Sequence, residues 1–168
     1  MSTSSIRYID GNSSLGILLL AFSDDGVCAL LLGDDLPALE RDLARRFPGI
    51  PTPQRDESLM PQLQQTLRHL EDPRSTLDLP LDPAGSAFQR RVWDTLRQIP
   101  LGKTASYQDI ARQLGQPNAF RAVANACGAN PLAVIVPCHR VLRQDGSLGG
   151  YRWGLERKQQ LLNREAQQ

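Results

Sequence analysis

The run Pro137-Cys138-His139-Arg140-Val141 sets a thiol beside an imidazole and a guanidinium, at the end of the apolar stretch Leu132 to Val136. Positive neighbours stabilise a thiolate over a thiol, so this setting is expected to lower a pKa that starts near ~8.5. The chemistry on offer is nucleophilic attack by sulfur, with the imidazole taking the proton. Immediate neighbours seldom hydrogen-bond side chain to side chain, so His139 would act on Cys138 through a water or across a turn. The competing reading is that Cys138 is a buried small hydrophobe, the usual fate of an unpaired cysteine. Cys28, in a strand-like run, and Cys127, at a helix end, read as core residues. Three cysteines at irregular spacing make no disulfide framework and no zinc site.

The elements that must position this run lie around it. Asn130-Pro131 introduces the apolar stretch, and an asparagine before proline is also an ordinary turn residue. Upstream, Ser86 with Gln89 is a capping-box pattern opening a helix whose apolar members are Phe88, Val92, Trp93, Leu96 and Ile99, closed by Pro100 and Gly102. A second pattern, Ser106 with Asp109, opens a short helix through Tyr107, Ile110, Ala111 and Leu114 that Gly115 and Pro117 close. Asn118 is placed to cap another helix, about Ala119 to Cys127, whose Ala122, Ala124 and Ala126 leave a slim surface. The pair has helix-turn-helix dimensions, although two short helices around a glycine also occur where no DNA is bound. Leu155 to Ala166 reads as a charged amphipathic helix.

The first half reads differently. Ile6 to Ile9, Leu15 to Ser23 and Val27 to Leu32 are β-rich runs separated by Asn-Ser-Ser and Asp-Asp-Gly turns, which predicts a small antiparallel sheet. Leu36, Leu39, Leu43 and Phe47, then Leu59, Leu63, Leu67 and Leu70 after Ser58, recur at helical spacing. Pro73, Asp78, Pro80, Asp82 and Pro83 break regular structure, and the domain boundary is expected there.

Composition narrows the classes. The chain has 168 residues, 40% hydrophobic and 22% charged, a globular mixture far from disorder. No stretch is long enough to span a membrane. Ile17 to Phe22 lacks the basic flank of a signal segment and runs into Asp24 and Asp25, so a cytoplasmic protein is expected. The formal net charge of +1 hides a polarity: residues 1–85 carry 7 Lys/Arg against 13 Asp/Glu, and residues 86–168 carry 12 against 5. Such asymmetry points the second half at a polyanion.

Pro137-Cys138-His139-Arg140-Val141 closely resembles the active-site signature of the O6-alkylguanine-DNA alkyltransferases, the methylated-DNA--protein-cysteine methyltransferases. The likeness continues through Gly102-Lys103, Ser106-Tyr107, the Arg121-Ala122-Val123-Ala124 helix, Asn130-Pro131, Gly149-Gly150-Tyr151 and Lys158 to Glu165, in the family's order across the whole second half. The segment Gly150-Tyr151-Arg152-Trp153-Gly154 is most similar to the alkyltransferase half of bacterial adaptive-response regulators, whose metal-binding cysteine cluster is not matched here. The first half resembles the family only in layout.

The resemblance implies an α+β protein: a small N-terminal antiparallel sheet domain with helices over residues 1–82, serving as support, then a mainly helical, winged helix-turn-helix-like domain over residues 86–168 that binds DNA and carries the chemistry. It implies a single-turnover methylated-DNA--[protein]-cysteine S-methyltransferase, which repairs DNA by moving a methyl or other alkyl group from O6-alkylguanine irreversibly onto Cys138, and is expected to extend to O4-alkylthymine. His139 is then the general base acting through water, Glu165 the carboxylate orienting it, Tyr107 the proton donor to the leaving guanine, and Asn130 the brace of the active-site turn. Arg121 is the finger that fills the gap left by a flipped base, on a helix that lays Ala122, Ala124, Asn125 and Ala126 into the minor groove. Val141, Tyr151, Arg152 and Trp153 form the substrate pocket, with the Arg152 amide facing the lesion oxygen and Trp153 narrowing the pocket in favour of methyl over benzyl groups. The implied partner is double-stranded DNA, with a monomeric protein, no cofactor, no metal and no membrane.

Without the resemblance each role has a plainer rival. Glu165 among Arg157, Lys158 and Arg164 could be a solvated ion-pair partner, Tyr107 a packing residue, Arg121 a surface arginine, and Trp153 a prop for the last helix. Two other functions also stay open: a non-catalytic DNA-binding regulator or sensor, and a thiol hydrolase with a recyclable thioester. Related sensors carry tryptophan where this chain has Cys138.

Overall fold

The computed structural model describes residues 5–166; residues 1–4 and 167–168, the outer ends of the two expected domains, lie outside the described residues. The chain divides between Ala84 and Gly85 into two compact units.

In the first unit β1 (Arg7–Ser13), β2 (Gly16–Phe22) and β3 (Val27–Gly33) form an antiparallel meander. Strand pairing runs on through Asn12 and Ser13, which sequence had placed in a turn, because the reversal is made by Ser14-Leu15 with Gly16 at φ 102°. The sheet is not purely antiparallel as expected. A short strand β4 (Gln54–Arg55) adds in parallel to β1, giving the order β3-β2-β1-β4. Its backbone donates from Gln54 to Ile6 at 3.1 Å and from Asp56 to Tyr8 at 2.8 Å. Pro51 and Pro53 have no N–H to donate, which keeps the pairing brief.

Helix α1 (Leu36–Arg46) packs on β3 through Leu39 and Leu43, and α2 (Met60–Glu71) packs on β1 through Leu63 and Leu70. Arg45 and Arg46 in the last turn of α1 complement the negative end of its dipole. Leu59, grouped by spacing with α2, instead precedes it in a 3-10 turn (Glu57–Leu59) that the Asp56 carboxylate caps by accepting the Ser58 amide at 2.9 Å.

The second unit begins with α3 (Ala87–Leu96), whose capping box is complete: Gln89 N–H donates to Ser86 Oγ at 3.1 Å, and Ser86 N–H to Gln89 Oε1 at 2.9 Å. Strand β5 (Ala105–Ser106) leads into α4 (Tyr107–Gln113), capped reciprocally by Ser106 and Asp109 at 3.0 Å each way. A turn through Gly115 at φ 75° then opens α5 (Phe120–Gly128). Asn118 does not cap α5 as expected. Ala119 holds the N-cap position with no side-chain bond, the turn being closed by Ala119 N–H donating to Gln116 O at 2.9 Å. Trp93, 2% exposed, donates from Nε1 to Ala126 O at 2.9 Å and so pins α3 to α5.

After α5 the chain passes through the apolar stretch into a 3-10 turn (Cys138–Arg140) and then β6 (Val141–Leu142), which pairs in parallel with β5. The last helix, α6 (Leu155–Ala166), turns Lys158, Leu161 and Glu165 inward, a buried face that includes two charged side chains. No helix among the described residues is long and apolar enough to cross a membrane.

Candidate active site

Asn130 ties the Cys138 turn together. It is fully buried, accepts the Leu132 amide on Oδ1 at 2.8 Å, and its Nδ2 lies 3.3 Å from Leu132 O, 3.1 Å from Val136 O and 3.3 Å from Cys138 Sγ. Between these bonds the backbone passes through Val134 at φ 69°, the left-handed region that a β-branched residue avoids. Such strain costs on the order of 1–3 kcal/mol and persists only where surrounding contacts impose it.

Burial pushes the Cys138 thiol up to about 11, opposed by the Asn130 hydrogen bond and by the charges of Lys158 and Arg152. The expected lowering of this pKa is therefore corrected. A thiolate without water loses more in solvation than the basic surroundings return. The sulfur rests as a thiol, so any attack by it calls for a base.

Next to it in the chain is His139, fully buried, with Nε2 2.8 Å from Glu165 Oε2. The carboxylate is also gripped by Arg140, whose Nε donates to Oε1 at 2.8 Å and Nη2 to Oε2 at 3.0 Å, while Nη1 donates to Ile99 O at 2.7 Å. Burial alone would raise Glu165, yet the bonds from His139 and Arg140 outweigh it and hold the carboxyl at about 2. Burial lowers the His139 pKa against the pull of Glu165, so the ring is neutral near pH 7. An ionised carboxylate only accepts, so Nε2 carries the ring proton and Nδ1 carries the lone pair. Nδ1 is buried with no hydrogen-bond partner in the protein.

A pocket of about 300 Å³ reaches the sulfur, lined by Tyr107, Cys127, Cys138, Gly150, Tyr151 and Arg152. Gly149 lies at φ 71°, and a Cβ there would come 3.0 Å from the Tyr107 hydroxyl, so glycine lets the loop approach the phenol. Burial raises the pKa of Tyr107 and keeps it a neutral phenol. The Arg152 side chain donates to Gly128 O at 2.8 Å, tying this loop to the end of α5.

Two expected pocket residues do not line it. Trp153 is 6% exposed and stands behind Tyr151 in an edge contact, ring centroids 5.4 Å apart at 70°. The Val141 side chain is fully buried, being drawn into the core where β6 meets β5.

On α5 the exposed residues include Arg121, Ala122 and Asn125, with Ala124 half-buried. Ala126 does not belong to this surface. It is 2% exposed, on the face where Trp93 binds its carbonyl, because helical rotation groups it with Val123 and Cys127. The Arg121 guanidinium lies 5.9 Å over the Phe120 ring. A wider cleft of about 490 Å³, flanked by Arg121 and Arg143, shares Tyr107, Ala124 and Gly150 with the smaller pocket.

Sequence reasoning passed over two residues. Arg140 was counted only as a positive neighbour, though it clamps Glu165. Lys158 is fully buried, its ammonium donating to Val141 O at 2.7 Å, Gly150 O at 3.0 Å and Leu148 O. The signal for Lys158 was its helical spacing from Leu161 and Glu165.

The family profile described as "6-O-methylguanine DNA methyltransferase, DNA binding domain" matches residues 87–167. The chain is 48% identical over 162 residues to the Escherichia coli "Bifunctional transcriptional activator/DNA repair enzyme Ada", covering 96% of this chain but only 46% of that protein. It is 40% identical over 161 residues to a "Methylated-DNA--protein-cysteine methyltransferase" of Mycolicibacterium paratuberculosis, covering 94% of this chain and 90% of the relative. Among solved structures, that of Mycobacterium tuberculosis OGT in complex with DNA superposes with a TM-score of 0.81 at 34% identity, covering 96% of this chain and 93% of that one. With likeness of this extent along both units, the chain belongs to the methylated-DNA--protein-cysteine methyltransferase family.

Proposed function

We propose that this chain repairs alkylated guanine in DNA by transferring the O6-alkyl group to Cys138, once per molecule. The observation that carries the reading is the buried thiol, in a pocket beside a neutral imidazole whose Nε2 is held by Glu165 and whose Nδ1 is left free to accept a proton. The thiol proton passes through water to His139 as Sγ attacks the alkyl carbon. The Sγ–C bond forms, the C–O6 bond breaks, and Tyr107 supplies the proton that the departing guanine needs. His139 returns its proton to the phenolate through solvent, so the balance is a thiol and an alkylguanine giving a thioether and guanine. A thioether offers water no carbonyl to attack, so the sulfur is not regenerated.

Asn130 braces the turn, and Tyr151 with the Arg152 amide forms the wall against the flipped base. The base must leave the stack, costing a few kcal/mol, and Arg121 fills the gap while Ala122, Ala124 and Asn125 approach the minor groove of double-stranded DNA. The net charge of +7 over residues 86–168 supports phosphate contact without sequence preference. The first unit serves as support, and the protein works as a monomer in the cytoplasm.

The test is a duplex containing O6-methylguanine, followed by peptide mass spectrometry. A single methyl on Cys138 and one turnover per molecule are expected, and Cys138→Ser should bind the duplex and repair nothing. An unmodified Cys138 after demonstrated DNA binding would favour a sensor, and repeated turnover a hydrolase.

A further inference from the structure

Lys158 is a buried cation that the mechanism above does not use. Three carbonyls saturate its ammonium donors, but no carboxylate lies within ion-pair distance among the described residues. The one buried carboxylate nearby, Glu165, is already matched by Arg140 in a bidentate pair. A lone positive charge therefore sits inside the second unit, an arrangement that burial makes costly. It stands where an anion has to form. Gly150, one of its acceptors, lines the pocket that Cys138 opens into, and Val141, another, directly follows the turn that carries the sulfur.

We propose that the Lys158 ammonium is the counter-charge of the Cys138 thiolate as it forms, which makes Lys158 a positioning residue for the nucleophile and not only a staple for the 148–150 loop. The inference rests on the reading of Cys138 as the nucleophile. The surrounding groups are consistent with it. Besides Lys158, Arg152 favours the sulfur anion and Asn130 donates to it, while Tyr107 and Tyr151 meet it as phenols. Facing Lys158, Cys138 and Cys127 favour its charged form and Arg143 opposes it, against a lowering by burial. Arg140 and Glu165 compensate each other, and His139 is neutral.

The charge and staple roles part company in a titration. Cysteine labelled at 13Cβ reports thiol and thiolate of Cys138 by NMR in the whole protein, with Cys138→Ser assigning the signal. In Lys158→Met the midpoint is expected to move up by about one unit or more, about a tenfold loss of thiolate at fixed pH, and Lys158→Arg should recover most of it. An unmoved midpoint in folded Lys158→Met overturns the proposal. Should that variant not fold, the linkage can be read on the natural chain, since coupling is reciprocal. Alkylating Cys138 with iodoacetamide should lower the pH at which the Lys158 ammonium loses its proton, and equal midpoints before and after would sink the idea. Neither titration involves DNA. A chain that shows the coupling but takes no methyl from DNA would retire the repair reading and leave the counter-charge standing.

Discussion

The fully buried side chains of the first unit are almost all hydrocarbon, as with Ile9, Leu18, Leu19, Leu20, Leu31 and Leu43. Its buried polar residues are hydroxyls: Thr66 donates to Gln62 O at 2.8 Å, and Ser23 to the Asp82 carboxylate at 2.5 Å. The second unit, of nearly equal length, buries an amide, an imidazole, an ammonium and a carboxylate around one sulfur: Asn130, His139, Lys158, Glu165 and Cys138. Each of those four polar groups has a partner within the protein, yet one ring atom, His139 Nδ1, is buried without one. The first unit spends its interior on packing, which supplies stability roughly in proportion to apolar area. The second spends part of its interior on holding charge in position, which is weak evidence for stability and strong evidence for chemistry.

Substitutions can break this contrast. Glu165→Ala should be the most damaging, because it frees the His139 tautomer and strands Arg140. Methyl transfer is expected to slow by about 10²–10⁴-fold and urea stability to fall by about 3–5 kcal/mol. Leu19→Ala in β2 should cost a similar amount, about 2–5 kcal/mol, in the same denaturation while methyl uptake per folded molecule stays at one. A large loss of transfer rate in folded Leu19→Ala would erase the distinction between the units.

Acid should separate the units as well. Glu165 has its folded pKa depressed from 4.5 to about 2, so its contribution is complete above 4.5 and is lost as pH falls toward 2, a matter of roughly 3 kcal/mol. His139 is also depressed, by burial, so stability held above its ordinary 6.5 begins to drain as pH falls below that value. Hydrogen exchange near pH 4 should therefore show amides around the 3-10 turn (Cys138–Arg140) and α6 losing protection before those of β2 and β3. The smallest effect is expected for Trp93→Phe, which deletes one buried hydrogen bond to Ala126 O and should cost about 1–2 kcal/mol without changing the methyl stoichiometry.

Much of the framework was legible in the order of residues, because it is local. The capping boxes of Ser86 and Ser106, the β-rich runs and the helix over Leu155–Ala166 depend on neighbours a few positions apart, and the structure has them. The Pro-Cys-His-Arg run likewise forms a compact 3-10 turn that sets Cys138 and His139 side by side in the chain. Where local rules met long-range contacts they were overruled. β4 became a strand by pairing with β1, far earlier in the chain, and Ala126 lies on the buried face of α5 with Val123 and Cys127, where Trp93 also bonds its carbonyl.

The sequence alone thus determined which groups exist, where helices start and which half is basic, since composition, capping and charge require no fold. Only the tertiary structure decided the state of those groups. The thiol pKa rose because Cys138 is largely buried, the His139 tautomer was set by a carboxylate on α6, and Trp153 stands behind Tyr151 in an edge contact. Solvation and hydrogen-bond geometry depend on what surrounds an atom in space, and residues from distant parts of the chain supply it.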